Sequence, residues 1–166
     1  FVIGWMGSFS TLPHLECIRG AVERFAARRP VRFVIVCDKP LVPPFKNAET
    51  VFVRWSAERE AADIGAMHVG VMPLVDYEVS KGKCGMKALQ YMASGRPTIV
   101  TPIGVNADII DHGRNGFHAS TEDDWVDAFE RLAASRELRR TFALEGRKTV
   151  EHGFSAETSA SRFAAA

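Results

Sequence analysis

The chain has 166 residues, of which 46% are hydrophobic and 25% charged, and its 21 Lys and Arg nearly balance its 20 Asp and Glu. This length fits one domain or two small ones with a real core, and the composition excludes disordered, collagen-like and disulfide-scaffold proteins. A net charge of +1 gives no general reason to expect nucleic acid or an anionic membrane as partner, so any anion site must be local.

The cysteines and the hydropathy indicate a cytoplasmic protein. Cys17, Cys37 and Cys84 are odd in number and widely spaced, which favours reduced thiols over a disulfide framework. No apolar run approaches the roughly 18 residues of a membrane span, so we expect no integral membrane segment. The sequence opens at Phe1 on an apolar run without an initiator Met, and we expect that it was cut from a longer protein.

The first third of the chain alternates between apolar runs and helical patterns. The continuous apolar run 1–6 predicts a strand buried on both faces, and apolar residues at helical spacing predict a helix over 15–28. Residues 31–37 and 50–53 predict two more strands, and the charged stretch 56–64 predicts one or two helical turns.

The middle third repeats this alternation with shorter elements. Strands are predicted over 67–74 and 97–101, with a helix over 84–94 between them. A short helix over 106–111 and a sixth strand over 116–119 follow.

The last third is helical. Thr121 followed by three acidic residues is typical of a capped helix start, and Ser135 and Ser155 open two more helical patterns. Strands alternating with helices predict an α/β, Rossmann-like, doubly wound parallel sheet of about six strands. Ligands of such sheets bind beyond the carboxyl ends of the strands.

A lysine-rich turn precedes the predicted helix over 84–94. Gly82 and Gly85 loosen the backbone there, while Lys81, Lys83 and Lys87 oppose the helix dipole by about 0.3–1 kcal/mol each. A bound phosphate would reverse the sign of that effect, and the unpaired N–H groups of a helix start favour such an anion. The alternative is that the lysines simply extend into solvent.

The loop after the first strand offers Gly7 for close approach, followed by Ser8, Ser10 and Thr11. It is neither the dinucleotide fingerprint G-x-G-x-x-G nor a Walker loop. At least one of the last two hydroxyls is expected to cap a helix.

Two further strand exits carry candidate binding residues. Arg54 and Trp55 follow the third strand and can hold a planar base, although Trp more often fills a core. Gly104, Val105 and Asn106 follow the fifth strand, where backbone N–H groups can meet the same anion or Asn106 can act as an N-cap.

Metal and hydrolase chemistry are not indicated. The five histidines lack ligand spacing, and His68 is expected to have a structural role. Neither G-x-S-x-G nor H-E-x-x-H occurs.

The segment ALQYMASGRPTIVTPIGVNADIIDHGRNGF resembles the signature of group 1 (family 4) retaining glycosyltransferases, in the C-terminal, donor-binding domain of their GT-B fold. The opening IGWMGS resembles that domain's first strand and loop. The signature residues that match are Met92, Ala93, Gly95, Pro97, Gly104, Asp108, Gly113 and Gly116.

The resemblance also shows a departure. The family's two glutamates, which have seven residues between them, fall here on Gly82 and Gln90, so both carboxylates are missing. Gln90 keeps the ability to hydrogen-bond a ribose hydroxyl, and Asp76 or Glu78 are candidates for the first role. Lys83 and Lys87 replace the family's basic pair, which indicates a divergent branch.

The resemblance implies transfer of a sugar from a nucleotide donor to an unknown acceptor with retained configuration, without metal or further cofactor. A separate N-terminal acceptor domain is expected to complete the enzyme and to reach the inner face of the membrane, while residues 1–166 bind the donor and are inactive alone. The alternatives are a non-catalytic nucleotide-binding or interaction module and a GT-B relative such as a nucleotide-sugar epimerase. The implied donor-binding residues are Gly7, Ser8, Arg54, Trp55, Lys83, Cys84, Gly85, Lys87, Gln90, Gly104, Val105 and Asn106.

Overall fold

A single parallel sheet organises the chain in the computed structural model, which describes residues 1–39 and 44–164. The strand order is β3-β2-β1-β4-β5-β6, and every neighbouring pair is parallel. The predicted six-stranded, doubly wound sheet is therefore confirmed. The strands are β1 Val2–Met6, β2 Arg32–Cys37, β3 Glu49–Arg54, β4 Val69–Met72, β5 Thr98–Val100 and β6 Phe117–His118.

Helices lie on both faces of this sheet. The first is a 3-10 helix, Phe9–Ile18, that leads directly into α1. The α-helices are α1 Arg19–Ala26, α2 Glu60–Gly65, α3 Glu78–Lys81, α4 Met86–Ala93, α5 Asn106–Ile109, α6 Glu122–Ala134, α7 Arg136–Gly153 and α8 Ala156–Ala164.

The segment after β1 differs from its predicted helix over 15–28. Helical structure begins at Phe9, in 3-10 geometry, and includes Pro13. The N–H of Phe9 donates to Asp38 Oδ1 at 2.8 Å, and Thr11 Oγ1 donates to the Ser8 carbonyl at 2.9 Å. The first bond ties the loop to the residue that follows β2, and the second closes a turn at the start of the 3-10 helix.

The caps of the C-terminal helices follow the prediction. Thr121 Oγ1 accepts from the N–H of Asp124, whose carboxylate accepts from the N–H of Thr121, so a complete capping box opens α6. Ser135 Oγ accepts from the N–H of Leu138 at the start of α7. The helix predicted after Ser155 is α8, and residues 165 and 166 of that prediction lie outside the described residues.

Tyr91 fixes α4 against the centre of the sheet. Its ring is fully buried over Gly70 of β4, where an added Cβ would lie 2.3 Å from the ring. Its hydroxyl accepts from the N–H of Met6 at 2.8 Å, at the last residue of β1. Burial raises the pKa of this phenol, so it remains a neutral donor and acceptor.

The strand order reverses between β1 and β4, which are neighbours although β2 and β3 intervene in the chain. Loops leaving the two strands therefore diverge and leave a crevice at their carboxyl ends.

Within the described part of the chain, no helix combines the length and apolar character that crossing a bilayer requires.

Candidate functional site

Two adjoining depressions occupy the crevice beyond β1 and β4. The first, of about 360 Å³, is called here the tryptophan depression, and the second, of about 290 Å³, the lysine depression. They share Met86 and Lys87 from the start of α4. The tryptophan depression is lined by Met6, Gly7, Ser8, Asp38, Trp55, Glu60, Met86, Lys87 and Gln90, and the lysine depression by Met72, Gly82, Lys83, Cys84, Gly85, Met86 and Lys87.

Gly7 and Lys87 are in close contact where the two depressions join. A Cβ added at Gly7 would lie 2.6 Å from Lys87 Cε and 2.6 Å from the Trp5 ring. The first loop therefore needs glycine to let the lysine stem pass over the end of β1. Both residues belong to the predicted donor-binding set, and the structure brings them together.

Lys87 carries an unpaired positive charge. No carboxylate lies within ion-pair distance of its ammonium among residues 1–39 and 44–164, and its Nζ lies 5.7 Å from the centroid of the Trp5 ring. Burial lowers the pKa of Lys87, and the neighbouring Lys83 lowers it further. An anion bound between these lysines would offset both effects.

A chain of hydrogen bonds forms one wall of the tryptophan depression. Trp55 Nε1 donates to Glu60 Oε2 at 2.8 Å, and Gln90 Nε2 donates to Glu60 Oε1 at 2.8 Å. Each carboxylate oxygen keeps a free lone pair. No cation within the described ranges pairs with Glu60, so its charge can accept hydrogen bonds from a ligand hydroxyl.

The lysine depression is formed by the turn that enters α4. Gly85, the N-cap of that helix, has a φ of 69°, a left-handed conformation that disfavours side chains. A Cβ there would also lie 2.3 Å from Ile109 Cδ1. Helix α4 begins at Met86, so the helix start predicted at Cys84 is two residues early.

His14 belongs to the same positively charged region. Its Nδ1 accepts from the N–H of Val75 at 3.0 Å, and burial together with Lys83 and Lys87 lowers its pKa. Sequence reasoning missed this histidine because the 3-10 helix carries it across to the loop after β4.

Other predicted residues line neither depression. Arg54 is exposed at the end of the edge strand β3. Gly104 packs on the backbone of Lys81, whose carbonyl oxygen would lie 2.4 Å from an added Cβ. Asn106 is fully buried, and its Nδ2 donates to the Thr101 carbonyl at 3.2 Å. Residues 104–106 therefore pack against the buried side of the turn that enters α4 and do not line the depressions.

The candidates for the missing carboxylate also lie outside the depressions. Glu78 is exposed and pairs with Lys81 at 2.6 Å, and Asp76 is exposed on the preceding loop. This pair removes Lys81 from the local lysine cluster. Lys83 and Lys87 remain.

Two acidic residues of the site were absent from the predicted set. Asp38, at the end of β2, accepts from the N–H of Phe9 and from the Cys37 thiol, which hold its pKa below the ordinary value. Glu60 comes from α2, whose sequence has charged residues but no motif that indicates a binding site.

In the described ranges no three His, Cys, Asp or Glu side chains come close enough to hold a metal ion. His68 accepts from the N–H of Val2 through Nδ1, which fits its predicted structural role.

Comparison with known proteins adds a family match. The family model described as "Glycosyl transferases group 1" matches residues 1–135. No curated protein sequence matches the chain.

Solved structures share the fold at low sequence identity. The C-terminal domain of a group 1 glycosyl transferase family protein, LpcC from Francisella tularensis, has a TM-score of 0.72 and 22% identity over 94% of this chain and 87% of that one. Anabaena HepE, solved with UDP and glucose, has a TM-score of 0.77 and 14% identity over 99% of this chain and 47% of its own. A TarM variant from S. aureus, in complex with fondaparinux, α-GlcNAc-glycerol and UDP, has a TM-score of 0.75 and 14% identity over 99% and 34%. The chain thus spans about half of HepE and about a third of TarM.

Proposed function

Since the chain belongs to the group 1 glycosyl transferases, we propose that its two depressions bind a nucleotide-sugar donor for retaining transfer of the sugar. The observation that carries this proposal is Lys87, an unpaired, largely buried cation beside Gly7 where the two depressions meet. The bound UDP in the HepE and TarM structures supports the same ligand class.

The tryptophan depression takes the nucleoside in this proposal. The Trp55 side chain leaves 45% of its surface exposed for stacking on a base. The Glu60 carboxylate, held by Trp55 and Gln90, accepts hydrogen bonds from ribose hydroxyls. Glu60 thereby supplies the charge that is missing at position 90.

The lysine depression takes the diphosphate. Lys83 and Lys87 both line it, and the backbone N–H groups at the start of α4 add donors. When the bond from the anomeric carbon to the phosphate oxygen breaks, negative charge grows on the leaving nucleoside diphosphate. Preorganised cations lower the barrier because they stabilise that charge.

The remaining parts of a transferase lie outside this chain in the proposal. A separate N-terminal domain supplies the acceptor site, and the isolated chain binds the donor without transferring the sugar. Repeated turnover of a nucleotide sugar by the isolated chain would contradict this.

Titration calorimetry with UDP-, GDP- and dTDP-sugars tests donor binding directly. At least one is expected to bind, and Lys83→Ala is expected to weaken it about tenfold through the lost charged contact to phosphate. Lys46→Ala removes an equal charge from an exposed site outside both depressions and serves as the matched control. The proposal fails if no nucleotide sugar binds, or if Lys83→Ala leaves the affinity unchanged.

A non-catalytic nucleotide-binding module is the second candidate. It is favoured by one observation: among the described residues, no carboxylate lines the lysine depression. Release of nucleoside diphosphate from a bound donor by the longer protein separates the two. Such release supports the transferase, and stable binding without release supports the module.

A further inference from the structure

A separate cavity lies at the opposite edge of the sheet, where strands begin. His68 immediately precedes β4 and Arg96 lies two residues before β5, and both line a space of about 590 Å³. Arg136, Arg139 and Arg140, from the first two turns of α7, complete its wall. We call it the arginine cavity. The proposed donor site lies beyond the other ends of the strands, so the two are independent.

The four arginines are unpaired in a protein whose other arginines are mostly paired. The lining of the cavity includes no Asp or Glu, and within the described ranges none of the four has a carboxylate at ion-pair distance. Glu137 lies on the same turn of α7, exposed, and outside the lining. Among the other described arginine side chains only Arg54 also lacks such a partner, whereas those that have one are Arg19, Arg24, Arg28, Arg29, Arg32, Arg59, Arg114, Arg131 and Arg147.

Two of these guanidinium groups are held in place by neutral acceptors. Arg96 donates to the carbonyls of Met67 and Ser94, at 3.1 and 3.3 Å. Arg139 donates to the carbonyls of Leu132 and Ala133 at the end of α6. These bonds orient the side chains but leave their charge uncompensated, and each guanidinium retains further N–H donors.

The arrangement is electrostatically unfavourable when the cavity is empty of anions. Arg136 repels Arg139 and Arg140 at three- and four-residue helical spacing, and cations at the start of α7 oppose its dipole. The same field reaches His68, whose pKa is lowered by burial and by Arg139 and Arg96. A multiply charged anion in the cavity would reverse each of these effects.

We propose that the arginine cavity binds a phosphate-bearing group. Guanidinium groups match phosphate oxygens with paired hydrogen bonds, and four of them around one cavity favour a doubly charged group over a single carboxylate. This chemistry has two sources, a soluble phosphorylated molecule or the headgroup of an anionic phospholipid.

Two probes separate these sources on the full chain. Inorganic pyrophosphate is titrated while backbone amide shifts are followed by NMR at Gly95, Arg96 and Ala143, and separately at Gly85 for the lysine depression. In parallel, the protein is sedimented with vesicles of phosphatidylcholine, with and without phosphatidylglycerol. Both are repeated with Arg136→Gln/Arg140→Gln, two exposed side chains that make no hydrogen bond or ion pair within the described ranges. A control pair, Arg28→Gln/Arg147→Gln, makes an equal charge change outside the cavity.

Each outcome decides the proposal. Saturable shifts at Gly95 and Ala143, weakened about tenfold or more by Arg136→Gln/Arg140→Gln but not by the control pair, assign a soluble phosphate. Sedimentation that needs phosphatidylglycerol and the two cavity arginines, without pyrophosphate shifts, assigns a lipid headgroup. If neither probe binds, or if both variant pairs lose binding equally, the arginine cavity is not a phosphate site.

Discussion

Gln90 Nε2 donates to Glu60 Oε1 at 2.8 Å, which places a carboxylate from α2 beside the residue of α4 that lacks one. Trp55 holds the second carboxylate oxygen from the loop after β3. An amide and a carboxylate thus form a hydrogen-bonded pair in which the charge sits on Glu60. If the ribose needs one carboxylate in this wall, either position can provide it.

Exchanging the two side chains tests that idea. Glu60→Gln is expected to weaken nucleoside diphosphate binding about tenfold, because a charged acceptor for a hydroxyl is replaced by a neutral one. Glu60→Gln/Gln90→Glu is expected to restore most of the affinity. The amide then at position 60 accepts from the Trp55 indole and donates to the carboxylate at position 90. Calorimetry with the best-binding nucleotide measures both.

The control for this exchange is Glu58→Gln, which removes the same charge from an exposed residue outside the depression. It is expected to bind like the unchanged chain. Equal affinities for Glu60→Gln and Glu58→Gln would show that Glu60 does not contact the ligand.

Most of the fold could be predicted because it depends on local patterns. Short, mostly apolar segments predicted all six strands, and the Thr121 capping pattern predicted the start of α6. Gly7 and Lys87 were identified from local chemistry as well, as a close-approach glycine and an unfavourable lysine. Their contact follows from the topology that places the start of α4 beside β1.

Glu60 could not be predicted, since its role depends on a contact made 30 residues away along the chain. Nothing in the charged segment 56–64 distinguishes Glu60 from Glu58 until β3 and β4 are placed in the sheet. Residues 104–106 were assigned to the anion for the opposite reason. Their motif is recognisable in the sequence, but in the structure Gly104 packs against the backbone of Lys81 and Asn106 is buried behind the turn, so they do not line the depressions.

Gly7→Ala is expected to destabilise the fold and weaken ligand binding together. The new methyl group would overlap Lys87 Cε and the Trp5 ring, and overpacking of this kind costs about 1–3 kcal/mol. Gly65→Ala is the matched control, because nothing lies within 4 Å of its added Cβ and alanine favours the helix. Urea unfolding measures the stability of both. An unchanged midpoint for Gly7→Ala would contradict the contact between Gly7 and Lys87.

Tyr91→Phe tests how α4 is fixed to the sheet. Removing the hydroxyl leaves the buried N–H of Met6 without its acceptor, which is expected to cost about 1–3 kcal/mol in the free energy of unfolding. Tyr77→Phe, at a side chain that is 63% exposed, is expected to change that energy little. Denaturant unfolding compares the two, and equal midpoints would mean that the hydroxyl contributes nothing.

Lys87 makes ligand binding depend on protons. Burial lowers its pKa, so the free protein releases the Lys87 proton at a lower pH than an ordinary lysine does. A bound diphosphate raises that pKa again, and between the two values binding takes up a proton. The lower edge of this window, set by the free protein, therefore lies below the ordinary lysine value. The same anion also raises the lowered pKa of His14, which adds proton uptake by this imidazole at lower pH than by Lys87.

Calorimetry in buffers of different ionisation enthalpy measures this proton uptake. We expect the unchanged chain to take up the Lys87 proton in this window and Lys87→Met to lack that contribution, because Met keeps the apolar stem packed on Gly7 without the charge. The lowered pKa of Lys87 also decides how the free energy of unfolding changes with pH. The unfolded chain binds this proton more tightly, so the unliganded protein gains stability as pH rises through the window. Lys87→Met is expected to remove that gain, and an identical pH profile in both proteins would show that the ammonium is not buried against the end of β1.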